Sequence, residues 1–271
     1  MHFFGRVLAL VHSRKPAAPP RPRWHSVSST YSYEICPRRS WFGYVERTPE
    51  PRSEVPSGWR FGTVVHAGLE AGYKHHRTVG RSRNLAHTIP VAVDAVRASW
   101  ADEGIPDDAR ELGRAERVVR ASLATTRLWP SEILGVERYF RATTPEGFRV
   151  AGAFDLVLRG GPGVVEIRDH KVTRYVRSPD DLVTDFQLNL YGWLVRQTWP
   201  WAEKILMSHH YPLLRQVVRV ELDAARMEAA IQRVRTVGAV AEADTRFDPT
   251  PGEHCATCAY RGVCDASAVA A

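Results

Sequence analysis

The spacing of apolar and polar positions changes period along this chain, and each change marks a different kind of element. From Thr63 to His76, "TVVHAGLEAGYKHH" places Val64, Val65, Gly68, Leu69 and Gly72 on one helical face, and further helical segments fill the stretch to Trp129. The period then shortens. "ILGVERYFRA", "FRVAGAFDLVLR" and "GVVEIRDHKVTR" are β-rich runs joined by "TTPEG" and "GGPG", whose Pro and Gly suit hairpin turns, so a three-strand meander is expected. "SPDDLVTDFQLNLYGWLVRQTW" predicts one long helix ending before Pro200, with Ser178 as N-cap, Pro179 at the first helical position and acids in the first turn. "ILMSHHYPLLRQVVRVEL" adds two short strands, and "DAARMEAAIQRVRTVGAVAEA" a closing helix before the tail "GEHCATCAYRGVC". The expected class is α/β (α+β): an α-rich N-terminal half followed by a mixed sheet flanked by helices.

Composition adds boundaries. "SRKPAAPPRPRWHSVSS" is rich in Pro, Arg and Ser without periodic apolar positions, so residues 1–29 are expected to form a flexible basic arm and residues 30–271 a single domain. No apolar run approaches the ~18 residues that span a bilayer. "MHFFGRVLALVHSRK" has too short an apolar core for a secretory signal, and no small-residue cleavage site follows, so the reading is a cytoplasmic protein without membrane association. The formal net charge of +7 favours a polyanionic partner, most simply nucleic acid.

Two residue types are scarce enough to be informative. Lys occurs only at Lys15, Lys74, Lys171 and Lys204, while the other 33 basic residues are Arg. A Lys in such a chain calls for a reason beyond charge, because a compact ammonium can sit beside a metal-bound water where a planar guanidinium cannot. Cysteine occurs four times, at Cys36, Cys255, Cys258 and Cys264. In a reducing compartment these thiols point to metal or redox chemistry rather than disulfides.

Asp155 falls in the second strand of the expected meander, and Asp169 and Lys171 fall two apart in the third, so two neighbouring strands present two carboxylates and an ammonium on one face. Phosphodiester hydrolysis needs this set: oxygen ligands for a divalent ion, and a cation to polarise water or steady charge developing on phosphate. The bland alternative is a solvated ion pair.

"GAFDLVLRGGPGVVEIRDHK" resembles the Asp, then Asp/Glu-x-Lys signature of the PD-(D/E)XK nuclease superfamily. "GTVVHAGLE" is similar to the Gly-x-x-x-His helix motif of RecB-like nucleases, and "QLNLY" to their Gln-x-x-x-Tyr motif. An amino-terminal Cys combined with a carboxy-terminal Cys-x2-Cys-x5-Cys resembles the iron–sulfur branch, which includes the AddB nuclease domain and small CRISPR-associated exonucleases. The resemblance spans roughly Thr30 to Asp265 and implies a restriction-endonuclease-like core. It implies that His66, Asp155, Asp169 and the backbone carbonyl of His170 hold Mn²⁺ or Mg²⁺, and that Lys171 orients or activates the attacking water. Gln187 and Tyr191 would contact DNA or brace the site. Cys36, Cys255, Cys258 and Cys264 would ligate one [4Fe-4S] cluster, clamping the two ends of the domain. A structural zinc site on the same thiols, with His254 replacing one, is the chemical alternative. The sequence departs from the family texture at His170, where an aromatic or apolar residue is usual. Glu137 in "GVERYF" is left without a role.

The function expected is therefore a metal-dependent DNA exonuclease acting at single-stranded ends in recombination, repair, phage replication or CRISPR adaptation. A DNA-end-binding subunit with minor or no cleavage of its own is the alternative. The chain carries no GxxxxGK[ST] phosphate loop, which assigns any helicase to a separate partner, as it would any integration-complex protein.

Overall fold

The structure is a computed structural model that describes residues 23–49, 57–104 and 108–266. Its first helix, α1 (Val27–Ile35), starts with a reciprocal capping box between Ser26 and Ser29. Just before it, His25 bridges to Val150, its amide donating to the Arg149 carbonyl at 2.9 Å. The fold thus begins ahead of Thr30, because backbone pairing and a cap hold the last residues assigned to the arm; the expected arm up to residue 22 lies outside the described residues.

After α1 come α2 (Pro37–Ser40) and a π-helical turn (Trp41–Glu46), then α3 (Ser57–Val79), α4 (Ile89–Asp102) and α5 (Ala109–Thr125). α3 extends beyond the stretch expected from periodicity. A Cβ on Gly68 would lie 2.6 Å from a Val96 methyl, so the glycine lets α3 and α4 approach closely. The sheet follows as β1 (Ile133–Thr143), β2 (Arg149–Gly161) and β3 (Val164–His170). Then come α6 (Pro179–Val183), α7 (Phe186–Thr198), β4 (Lys204–Tyr211), β5 (Gln216–Glu221) and α8 (Ala224–Ala243).

The strand order is β1-β2-β3-β4-β5, antiparallel except for the parallel β3–β4 pair. The meander is as expected, and the parallel pair is bridged by the crossover through α6 and α7. The single long helix is not. It breaks at Thr184–Asp185, where Thr184 ends α6 and Asp185 caps α7 by accepting from the Leu188 amide. Arg177 anchors the break through a 2.5 Å bond to Asp185 and a second to the Asp181 carbonyl. Apolar periodicity runs through both pieces, so only the cap distinguishes two helices from one.

Two apolar cores sandwich the sheet. One joins α7 and α8 to Phe140, Phe154, Val157, Val165 and Ile167; the other joins α3, α4 and α5 to Ile133, Val136, Leu156 and Leu158. α7 is buried over almost its whole surface, as a crossover helix lying across a sheet must be. Among the described residues, no helix is long and apolar enough to cross a membrane.

Candidate active site

Pairing sets out the acids before any side chain is considered. Leu156 pairs with Arg168 across β2–β3, and one step along the same register brings Asp155 beside Asp169. On the other edge, Val136 pairs with Leu156 and Arg138 with Phe154, which sets Glu137 opposite Asp155. Three neighbouring strands therefore carry Glu137, Asp155 and Asp169 in one row.

The pleat reverses at this row. Val150 and Phe154 belong to the α7 side, whereas Leu156 and Leu158 belong to the α3 side, although simple alternation would keep all four together. Glu137 sits at φ 42°, a left-handed conformation that a residue with a Cβ adopts at a cost of about 1–3 kcal/mol. Packing on both sheet faces holds that strain in place.

His66 reaches the row from α3. Its Nδ1 lies 3.5 Å from Asp155 Oδ2 and 3.9 Å from Glu137 Oε1, and its Nε2 donates to the His170 carbonyl at 2.8 Å. His66, Glu137 and Asp155 each offer a ligand atom within 4.8 Å of the others. Of the expected set, His66, Asp155 and the His170 carbonyl come together here with Glu137 added, whereas Asp169 lines the same cleft but lies outside that 4.8 Å group. The sequence left Glu137 uncommitted, as a residue that could face the same cleft; the register of β1 against β2 places it there.

Electrostatics mark the row as an incomplete cation site. Burial, then the neighbouring Asp169, push the Asp155 carboxyl up to about 7, although the His170 amide donates to its Oδ2 at 2.6 Å. Burial pulls His66 down, but Glu137, Asp155 and Asp169 together outweigh it and raise the imidazole. A divalent ion would relieve the repulsion among the acids and replace the proton that the site otherwise retains. The donors fit: two or three carboxylates, one carbonyl and one imidazole suit Mg²⁺ or Mn²⁺.

Lys171 lies one residue beyond the end of β3 rather than within the strand. Its amide donates to the His210 carbonyl at 2.8 Å, and its Nζ lies 2.8 Å from Asp169 Oδ2. Burial lowers the ammonium, yet Asp169 and Asp155 overcome it and keep the charge in place. His66, Glu70, Glu137, Asp155, Asp169 and Lys171 all line one open cleft of about 790 Å³.

The His170 ring packs on the α3 side, 5.8 Å from the His66 ring. It stacks on Tyr73 at 5.8 Å and 8°, and its Nδ1 meets His210 Nδ1 at 2.9 Å, so one ring donates and the other accepts. Burial, then His210, hold His170 neutral, and burial pushes His210 down to about 4. A neutral imidazole in such a slot packs as an aromatic ring does. A second histidine that the sequence did not flag, His209, is buried with Nε2 3.6 Å from Asp169 Oδ2.

Gln187 and Tyr191 are one turn apart on α7 and bonded to each other, the Gln187 amide donating to the Tyr191 hydroxyl at 3.1 Å. Tyr191 packs on Phe154 at 4.5 Å, directly below the acidic row. A Cβ on Gly152 would meet its ring at 2.8 Å, so β2 leaves space for this tyrosine.

The four thiols form a second centre. Cys36, at the junction of α1 and α2, lines one small cavity with Cys255, Cys258 and Cys264. The Thr250 amide donates to Cys36 Sγ at 3.4 Å, and Arg39 and the unpartnered His254 Nε2 face the same space. Burial raises the Cys258 thiol, and Cys264 and Cys36 are near enough to add to the effect. Among the described residues, no three of these sulfurs lie within 4.8 Å of one another.

A family model of the PD-(D/E)XK nuclease superfamily matches residues 25–265. No curated protein matches. The crystal structure of SSO0001 is similar at 14% identity with a TM-score of 0.35, over 74% of this chain and 95% of that one. The match from residue 25 to residue 265 takes in the acidic row, Lys171 and all four cysteines, and the chain belongs to the PD-(D/E)XK nuclease superfamily.

Proposed function

We propose that this nuclease is a metal-dependent DNA exonuclease acting at single-stranded ends, with a structural [4Fe-4S] cluster joining the two ends of its domain. The observation that carries the catalytic part is the row of Glu137, Asp155 and Asp169 under His66, with Lys171 tethered to Asp169. His66, Asp155, Asp169 and the His170 carbonyl would hold Mn²⁺ or Mg²⁺, with Glu137 as an additional ligand or an acceptor for a coordinated water. The ion, when bound, supplies Lewis-acid polarisation of the phosphate and lowers the pKa of water.

The remaining work falls to the chain itself. Lys171, tethered to Asp169, would hold its ammonium beside the phosphate and orient the attacking water as a hydrogen-bond donor. Gln187 and Tyr191 keep the floor rigid, so that the acids hold their spacing.

For the cluster, the support is the placement of all four cysteines on one cavity. Zinc on the same thiols is the chemical alternative, and the resemblance of the cysteine pattern to the iron–sulfur branch is what favours the cluster. The reading of exonuclease action in recombination, repair, phage replication or CRISPR adaptation rests on the sequence resemblance to that branch.

The test is a labelled-end assay on anaerobically purified protein. Mononucleotide or short products released from single-stranded ends, dependent on added Mn²⁺ or Mg²⁺ and absent in Asp169→Ala, are expected. Cleavage without divalent ions overturns the metal assignment. Cutting of closed circular single strands as fast as linear ones overturns the exonuclease mode. DNA binding by the wild type without any cleavage favours the end-binding subunit instead.

A further inference from the structure

A cavity of about 760 Å³ lies outside the cleft, between the paired ends of β1 and β2, α8 and the segment leading into α1 and α2. Its lining includes Arg23, Arg47, Arg141 and Arg149, and no Asp or Glu. Aromatic rings stand among the cations: Arg141 lies over Trp24 and Tyr139 at 5.1 and 5.0 Å, and Arg149 over Trp24 at 5.6 Å. Tyr139 is 54% exposed, with Arg141 over its ring.

Acid-free cationic grooves attract phosphates, and exposed rings among the cations offer faces for unpaired bases; a groove that does both fits a single strand better than a duplex, whose bases are already stacked. The position is also telling. β1 is an edge strand, and Tyr139 follows Glu137 of the acidic row by two residues, about 7 Å along the strand. Tyr139 therefore brings the groove's lining to within two residues of the acidic row.

We infer that this groove is the track of a single DNA strand passing to or from the cleft, with bases stacked on Tyr139 and Trp24 and phosphates held by Arg47, Arg141 and Arg149. The inference rests on the nuclease reading for the identity of its ligand, and it assigns the strand a path along β1 rather than across the β4–β5 edge.

Binding of a labelled thymidine oligonucleotide and of a blunt duplex of equal length, in divalent-free buffer, tests it. Tyr139 and Arg141 are both exposed, so their replacement leaves the core intact. Tyr139→Ala and Arg141→Ala should each weaken single-strand binding roughly tenfold, as loss of one stacked base does. The Arg141 change should also reduce the salt slope by about 0.7. Arg110→Ala, on exposed α5, should change neither. Unchanged single-strand affinity in both groove variants overturns the track, as does equal weakening toward duplex and single strand. A parallel cleavage assay separates the two readings. Wild-type cleavage with unaffected groove variants leaves the nuclease standing without this track, and groove-dependent binding without wild-type cleavage leaves the track standing without the nuclease.

Discussion

Lys171 is the residue whose identity the chemistry constrains most. A guanidinium at this position would preserve charge but not the 2.8 Å approach of a compact ammonium to Asp169, and it stays protonated. Lys171→Arg should accordingly cleave no better than Lys171→Ala in a single-turnover assay; an Arg variant with near wild-type rate would reduce Lys171 to generic positive charge. Asp155 gives a prediction that needs no activity. Its carboxyl is pushed up to about 7, against about 3.9 for an aspartate in an unfolded chain. A folded value above the unfolded one contributes stability that is complete below pH ~4 and is lost as pH rises through ~7. The raised His66 has the same sign. His170 and His210, held neutral by burial, have the opposite sign in wild type and variant alike, so the Asp155 contribution is read as a difference: in the metal-free protein, Asp155→Asn should gain melting temperature over wild type at pH ~8 relative to pH ~5, while losing cleavage. Added Mn²⁺ should raise the wild-type melting temperature at pH ~8 and leave the Asn variant nearly unmoved.

At the level of elements, the site depends on how β2 and α7 meet. Gly152 lies against Tyr191 and Leu194, and a Cβ added there would stand 2.8 Å from the tyrosine ring. Gly152→Ala must push α7 from the sheet or turn Tyr191 out, a loss of about 1–3 kcal/mol by overpacking. Because the Gln187–Tyr191 pair sits beneath the acids, the substitution should lower the cleavage rate more than it weakens DNA binding. Chemical denaturation paired with rate and affinity measurements checks this; equal losses in both functions would show that α7 carries no positioning role. Asp185 is the corresponding position at the helix break. Asp185→Ala removes both the α7 cap and the partner of Arg177, so a cost of about 1–2 kcal/mol is expected.

For the molecule as a whole, the thiol centre ties a segment near the start of the domain to its tail. Arg38 reinforces the connection through the Phe247 carbonyl at 3.0 Å and Asp265 at 3.2 Å, and Phe42 stacks on Tyr260 at 5.2 Å. If the proposed cluster occupies these thiols, its loss should loosen α1, α2 and the tail together, since binding energy at such a centre is folding energy. Freshly prepared protein should be brown with stoichiometric iron. Cys36→Ala should lose colour and melt at a temperature as depressed as that of Cys258→Ala. Colourless wild type with one zinc per chain would refute the cluster, and a brown, fully stable Cys36→Ala would transfer the fourth ligand to His254.

The sequence determined the elements and most of the chemistry, because both are written in short-range patterns. Turn residues bounded the meander, and the Asp155…Asp169-x-Lys171 spacing survived intact because strand pairing is local and the hairpin between β2 and β3 is short. The cysteines were legible by scarcity alone. What tertiary structure decided were relations between segments far apart in the chain. His66 and Glu137 come to Asp155 from α3 and β1 only once both cores are packed, and the left-handed turn at Glu137 that aims it has no local signature. The break between α6 and α7 was hidden because both helices bury apolar faces in phase, leaving a single Asp185 cap to distinguish them. The Trp24–Arg141–Tyr139 groove was hidden for the same reason in a stronger form: its cations and rings come from an amino-terminal segment and an edge strand that meet only because His25 bridges to Val150 of β2, the strand between them. Local preference fixes what a segment becomes, whereas a site assembled from several segments exists only after burial has chosen their register.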